Sequence, residues 1–190
     1  RPLQYMGFNI DAAHLEHILV NTSFYPGIVH YVGYSLIENL STRYADYYQA
    51  SRGNPPYDLT DKQLGEIMSD NALNEKINER IRWTLQVDLR YFMLARCIAY
   101  LYYDNPENNK SGHSLNSIIE YTSLLEISCL EHMNYQEYMS LLEEMKEMGI
   151  LVSPSEGTFR LRQRRFLDAI GSSREKIESD IRIAEGGINV

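Results

Sequence analysis

The chain of 190 residues has only two cysteines, one tryptophan and six prolines, and it contains no apolar run of the roughly 18 to 20 residues that a membrane span requires. Cys97 and Cys129 stand far apart in helical-looking sequence, without the close spacing of zinc or redox pairs, and two cysteines make no secreted disulfide framework. Free buried thiols are the expectation. The first residues show no basic stretch followed by an apolar one, so no secretory signal is read, and a cytoplasmic protein without a membrane partner is expected. Glycine is not arranged to hold phosphate: there is no G-x-x-x-x-G-K-[ST], and no G-x-G-x-x-G follows a strand pattern. Positive charge is not in excess either. A net charge of -8 argues against nonspecific coating of nucleic acid and leaves room only for a local basic feature.

Catalytic groupings are equally sparse. His14 and His17 lie three apart on a helical segment, which could present two imidazoles to a metal, but no third ligand is near, and both are expected to face solvent. His113 and His132 have no serine or cysteine partner recommended by spacing. The glutamates from Glu131 to Glu147 read as the solvated face of a helix whose apolar stripe is already accounted for. The chain itself is expected to be neither an enzyme nor a metal or cofactor binder.

What is present is helical periodicity. Asp11 caps a helix carrying Ala12, Leu15, Ile18 and Leu19. Pro26 suits the first turn of a second helix, with Val29, Val32, Leu36, Ile37 and Leu40 at steps of three or four, running as far as Tyr48. The breaker-rich stretch 51–57 is a loop, and Thr60 with Gln63 signals a capping box. Ile77, Ile81 and Leu85 mark a helix from Asn74. Asp88 then caps an apolar segment with Phe92, Leu94, Ala95, Ile98, Ala99 and Leu101, read as the central buried helix.

The polar segment from Asp104 to Gly112 is expected to divide a helical domain, residues 1–104, from a second one, 113–171, followed by a C-terminal helix and tail, 172–190. In the second domain Ser114–Tyr121 and Leu124–Met133 read as short helices, and Asn134 with Glu137 caps a longer one that Gly149 ends. The period then changes: Ile150-Leu151-Val152, a turn over 153–157, and alternating Thr158-Phe159-Arg160-Leu161-Arg162 make a small hairpin. Three helices followed by a hairpin is the winged-helix order. Phe166, Leu167 and Ile170 continue as a helix stopped by Gly171, Ser173 starts a last helix through Ile177, Ile181 and Ala184, and Gly186-Gly187 begins a frayed tail. The fold class expected is therefore mainly α, a helical bundle followed by a winged-helix domain with a β-hairpin wing.

The concentrated basic feature is Arg160, Arg162, Arg164 and Arg165, on and just after the wing, where alternate strand residues share a face. Wings can track phosphates. The helix from Asn134, however, offers Glu137, Glu143, Glu144 and Glu147, which phosphates would repel. Interdomain packing and nucleic-acid contact both remain open for the four arginines, with packing favoured. The tyrosine groups Tyr44, Tyr47, Tyr48 and Tyr100, Tyr102, Tyr103 suit a core rim or a partly wet interface.

Several strings together carry a resemblance: Tyr25-Pro26-Gly27-Ile28-Val29, Arg82-Trp83-Thr84-Leu85 with Asp88-Leu89-Arg90-Tyr91, Glu144-Met145 through Gly149-Ile150-Leu151, and Phe159-Arg160-Leu161-Arg162 with Leu167 and Ile170-Gly171. The chain resembles the C-terminal lid and winged-helix region of bacterial STAND-type ATPases, relatives of the AAA and Orc/Cdc6 ATPases. Phe24 and Leu89 stand where that family commonly has glycine and proline. The opening Arg1-Pro2-Leu3, without methionine, fits an excision from a longer polypeptide. The resemblance implies a noncatalytic regulatory fragment whose lid and winged helix dock on an upstream P-loop domain as a nucleotide-dependent switch. ATP or ADP would be the parent's ligand, with Tyr25, Pro26 and Gly27 on the adenine side. It further implies an oligomerising parent of the kind used as sensors in bacterial defence and signal transduction. The alternative is a DNA-binding winged-helix transcriptional regulator, with DNA met through the wing.

Overall fold

The computed structural model describes residues 8–22, 25–42, 57–162 and 164–188. It is mainly helical, with a small three-stranded antiparallel sheet and one short parallel strand pair. The chain divides into two compact units, Arg1–Ile77 and Asn78–Val190.

In the first unit β1 (Phe8–Asn9) pairs in parallel with β2 (Tyr57–Asp58), helped by an Asn9 side-chain amide that donates to Asp58 at 2.8 Å. Helix α1 (Ala12–Asn21) starts where expected, the Asp11 carboxylate accepting from the His14 amide at 2.7 Å. Its inner stripe is His14, Ile18 and Thr22, spaced four apart, while Leu15 lies nearly half exposed. The expectation of a solvent-facing His14 is therefore corrected: it occupies the row of Ile18, and its Nε2 meets Asp61 at 2.9 Å. His17, one helical step round, is exposed as expected.

Helix α2 (Pro26–Thr42) buries Ile28, Val32 and Leu36 at steps of four against α1 and α3. Its extension toward Tyr48, the loop over 51–56, and Tyr44, Tyr47 and Tyr48 fall outside the described residues. Helix α3 (Asp61–Met68) opens on the Thr60–Gln63 capping box. Helix α4 (Asn71–Leu85) begins three residues earlier than the sequence suggests, because the Asp70 carboxylate accepts from the Leu73 amide at 3.1 Å. It starts in the first unit and ends in the second.

The second unit is built around α5 (Leu89–Asp104), capped by Asp88 and buried continuously from Met93 to Leu101. Around it pack α6 (Leu115–Leu124), α7 (Tyr135–Glu147), α8 (Arg164–Ile170), α9 (Arg174–Ile188) and the strand β5 (Thr158–Leu161). The division thus differs from the one expected across 105–112. That segment, with a 3-10 turn at Pro106–Asn108 and Gly112 at φ +81°, stays within the second unit, because α5 supplies the apolar surface on which everything after it packs. The last helix belongs to the same unit, and it continues through Gly186 and Gly187 to Ile188 rather than fraying there.

Two local expectations fail on backbone geometry. Between Leu124 and Met133 there is only a 3-10 turn at Ser128–Leu130, since α6 ends at Leu124 with Leu125 as its cap and Glu126 takes the left-handed conformation at φ +52°. A third strand, β3 (His113–Ser114), was not legible in the sequence; it pairs with β5, giving the order β3-β5-β4 with β4 at Leu151–Val152. The end of α7 follows expectation. Gly149 at φ +77° lets its own amide donate to Lys146 and that of Ile150 to Met145, closing the helix with two turn-reversing hydrogen bonds.

Candidate functional site

The expected basic feature starts on β5. Phe159 and Leu161 point inward and are 1% and 5% exposed, so Thr158 and Arg160 occupy the other face, and Arg162 lies just past the strand's end, each half-buried. Antiparallel pairing sets Arg160 opposite Val152 and Leu161 opposite Leu151. The Arg160 guanidinium turns back on its own strand: Nη1 donates to the Leu161 carbonyl at 3.3 Å, and Nε is buried without an acceptor among the described residues. The Arg162 amide extends the ladder by donating to the Ile150 carbonyl at 2.9 Å. Arg164 and Arg165 lie in the first turn of α8, and their side chains are outside the described residues. The structure therefore places Arg160 on the outer face of β5 and Arg162 just past its end, and leaves the other two unplaced.

The second predicted set, Tyr25-Pro26-Gly27, forms the start of α2. The Tyr25 amide donates to the Thr22 carbonyl and its own carbonyl accepts from Val29, both at 2.9 Å. Pro26 is the first helical residue, where a missing amide costs nothing, and it is exposed.

Next to the hairpin in sequence stands α7, whose outer face decides what the arginines can meet. Asn134 and Glu137 form a reciprocal capping box, and Tyr138, Leu141, Leu142 and Met145 are buried, which turns Glu137, Ser140, Glu144 and Glu147 to solvent. Lys146 is the one lysine or arginine between Lys110 and Arg160, and it is paired with Glu143. The Tyr91 hydroxyl of α5 donates to Glu144, and that carboxylate holds the phenol above its ordinary pKa. Glu137, Glu144 and Glu147 thus stand on the exposed face of α7, interrupted by Ser140. Compared with protein-family models, curated proteins and solved structures, the chain has no match.

A cleft of about 430 Å³, not foreseen from the sequence, opens beside the end of α6, lined by Thr122, Glu126, Ile127, Leu130, Glu131 and Tyr138. At its floor Thr122 Oγ1 lies 2.8 Å from the Tyr138 hydroxyl, which in turn donates to the Leu130 carbonyl at 3.1 Å. The Thr122 and Ser123 hydroxyls also reach the Ile119 carbonyl, at 2.8 and 3.1 Å, so they are engaged with backbone and peptide groups. The signal in the sequence was slight: a tyrosine on the apolar stripe of α7 needs a buried partner for its hydroxyl.

The remaining reactive groups are dispersed. His113 is buried in β3, its Nδ1 without a hydrogen-bond partner among the described residues, and burial lowers its pKa despite the opposing pull of Glu107. Cys97 is a buried free thiol, as expected, with its pKa pushed up by desolvation. Cys129 is free but only half-buried, its pKa raised to about 11 by desolvation and then by Glu185. No group of three or more histidine, cysteine, aspartate or glutamate side chains among the described residues is arranged to hold a metal ion. Among them, no helix is long and apolar enough to cross a membrane.

Proposed function

We propose that the segment from β3 to α8 is a winged helix used for docking between domains, within the noncatalytic regulatory part of a larger STAND- or AAA-type ATPase. One observation carries the choice of docking over DNA reading: the outer face of α7, where such a module would present its recognition helix, is acidic, with Glu137, Glu144 and Glu147 exposed. Phosphate neutralisation supplies nearly all nonspecific DNA affinity, and this face would work against it. The order strand, helix, turn, helix, hairpin with the sheet arranged β3-β5-β4 supports the module. The parent ATPase rests on the sequence resemblance.

In this reading the upstream P-loop domain holds ADP or ATP, Tyr25, Pro26 and Gly27 approach the adenine, and Arg160, Arg162, Arg164 and Arg165 pair with acids of that domain. Nucleotide exchange shifts a bistable interface and frees the parent to oligomerise in a cytoplasmic signalling or defence role. The DNA-binding alternative is favoured by a single observation, Arg160 on the outer face of β5 with Arg162 just past its end.

The test is made on the longer polypeptide that includes the ATPase domain. Arg162→Glu breaks the docked state that ADP stabilises, so ADP affinity should fall by about 5- to 150-fold, the range of ordinary coupling free energies. An ADP affinity equal to that of the parent overturns the docking role.

A further inference from the structure

Helix α9 runs antiparallel along α5. Arg96 of α5 meets Asp180, while Tyr100 and Asp104, further along α5, meet Arg174 at the start of α9. Phe92, Arg96, Tyr100 and Asp104 recur at every fourth residue and so form one stripe of α5. From Met93 to Leu101 the only other side chains are apolar or a thiol, so within that span this stripe carries the side chains that water can solvate.

The contacts on that stripe are made by charged and polar groups, two of them ion pairs. The Arg96 guanidinium lies 4.0 Å over the Phe92 ring, donates to the Asp180 carbonyl at 2.9 Å and stands 3.8 Å from its carboxylate. Arg174 donates to the Tyr100 hydroxyl at 2.7 Å and to Asp104 at 2.5 Å, and the second Asp104 oxygen accepts from Tyr121. Near the far end Ser128 donates to Glu185. Apolar anchoring of α9 comes from Ile177 and Ile181, both fully buried.

Helix α9 also carries its own support. Lys176–Asp180 at 2.8 Å and Glu178–Arg182 at 2.7 Å are i,i+4 pairs of the kind that stabilise an isolated helix. Before it, the Gly171 amide closes α8 on Leu167, and Gly171, Ser172 and Ser173 then form a short connection without helix.

We propose that α9 is a detachable latch that leaves α5 by swinging about the Gly171–Ser173 connection while the rest of the second unit stays folded; once undocked, a lone helix of this length is only marginally stable and its amide hydrogen bonds open. The stripe it uncovers is one that tolerates water, and the ion pairs it gives up are screened by salt. Undocking is therefore sub-global and set by ionic strength.

Native-state hydrogen exchange on the full chain, at roughly 50 and 500 mM salt, tests this. The amides of Ile177, Asp180 and Ile181 should exchange at least about tenfold faster than those from Leu94 to Leu101, and only the α9 set should accelerate at high salt. Arg174→Gln should reproduce that acceleration at low salt. If α9 and α5 share one opening rate and respond alike to salt and denaturant, α9 opens only with global unfolding and the latch is overturned. The salt arm on the parent chain decides this even where the variant folds poorly.

Discussion

His113 is held in the fold at 3% exposure with one ring nitrogen unpartnered among the described residues, and burial favours its neutral form there. As the pH falls below the ordinary histidine value of 6.5, the unfolded chain takes up a proton that the folded chain resists. Stability is therefore present above that pH and is lost below it, with a slope of at most about 1.4 kcal/mol per pH unit from this one group. Urea unfolding of the parent between pH 7.5 and 5.5 should show the loss, and His113→Phe should flatten it. His14 teaches the complementary lesson. Its type and spacing suggested a surface group, but the helix turned so that His14, Ile18 and Thr22 faced inward, with Asp61, distant in sequence, supplying the partner. A partner brought by tertiary structure leaves no trace in local spacing.

At the scale of elements, most boundaries set by side-chain caps were legible, the Asp70 cap of α4 being missed, and those set by tertiary pairing were not. Asp11, Thr60 with Gln63, Asp88 and Asn134 with Glu137 all cap helices where the sequence places them. β3 escaped notice because two residues carry no alternation, and its existence depends on β5, more than forty positions away. The expected helix over 124–133 failed because Glu126 accepts a left-handed backbone conformation that side-chain periodicity does not report. The Asn134 cap offers a direct check on what such signals are worth. Its Oδ1 accepts from the Gln136 and Glu137 amides at 2.9 and 3.1 Å, and Glu137 returns a bond to the Asn134 amide at 2.7 Å. Asn134→Ala should cost about 1 kcal/mol in urea unfolding, and Asn134→Ser should recover most of it.

At the scale of the molecule, the organisation follows α5. Its continuous burial gathers α6 to α9 and the sheet into one unit, which is why a polar loop after Asp104 does not separate domains. Of the expected basic feature, Arg160 lies on the outer face of β5 and Arg162 just past its end, because period-two alternation survives into the fold. The acidity of α7 was also visible, but its solvent orientation depended on which stripe packed inward. These two features oppose each other, and the proposed docking on protein requires that the acidity of α7 prevail. Anisotropy of a labelled duplex of about 20 bp, titrated with the chain at roughly 50 and 200 mM salt, tests that claim most directly. The account predicts no saturable binding below about 100 μM at the higher salt. Low-micromolar binding that weakens steeply with salt and is abolished by Arg162→Glu would contradict it.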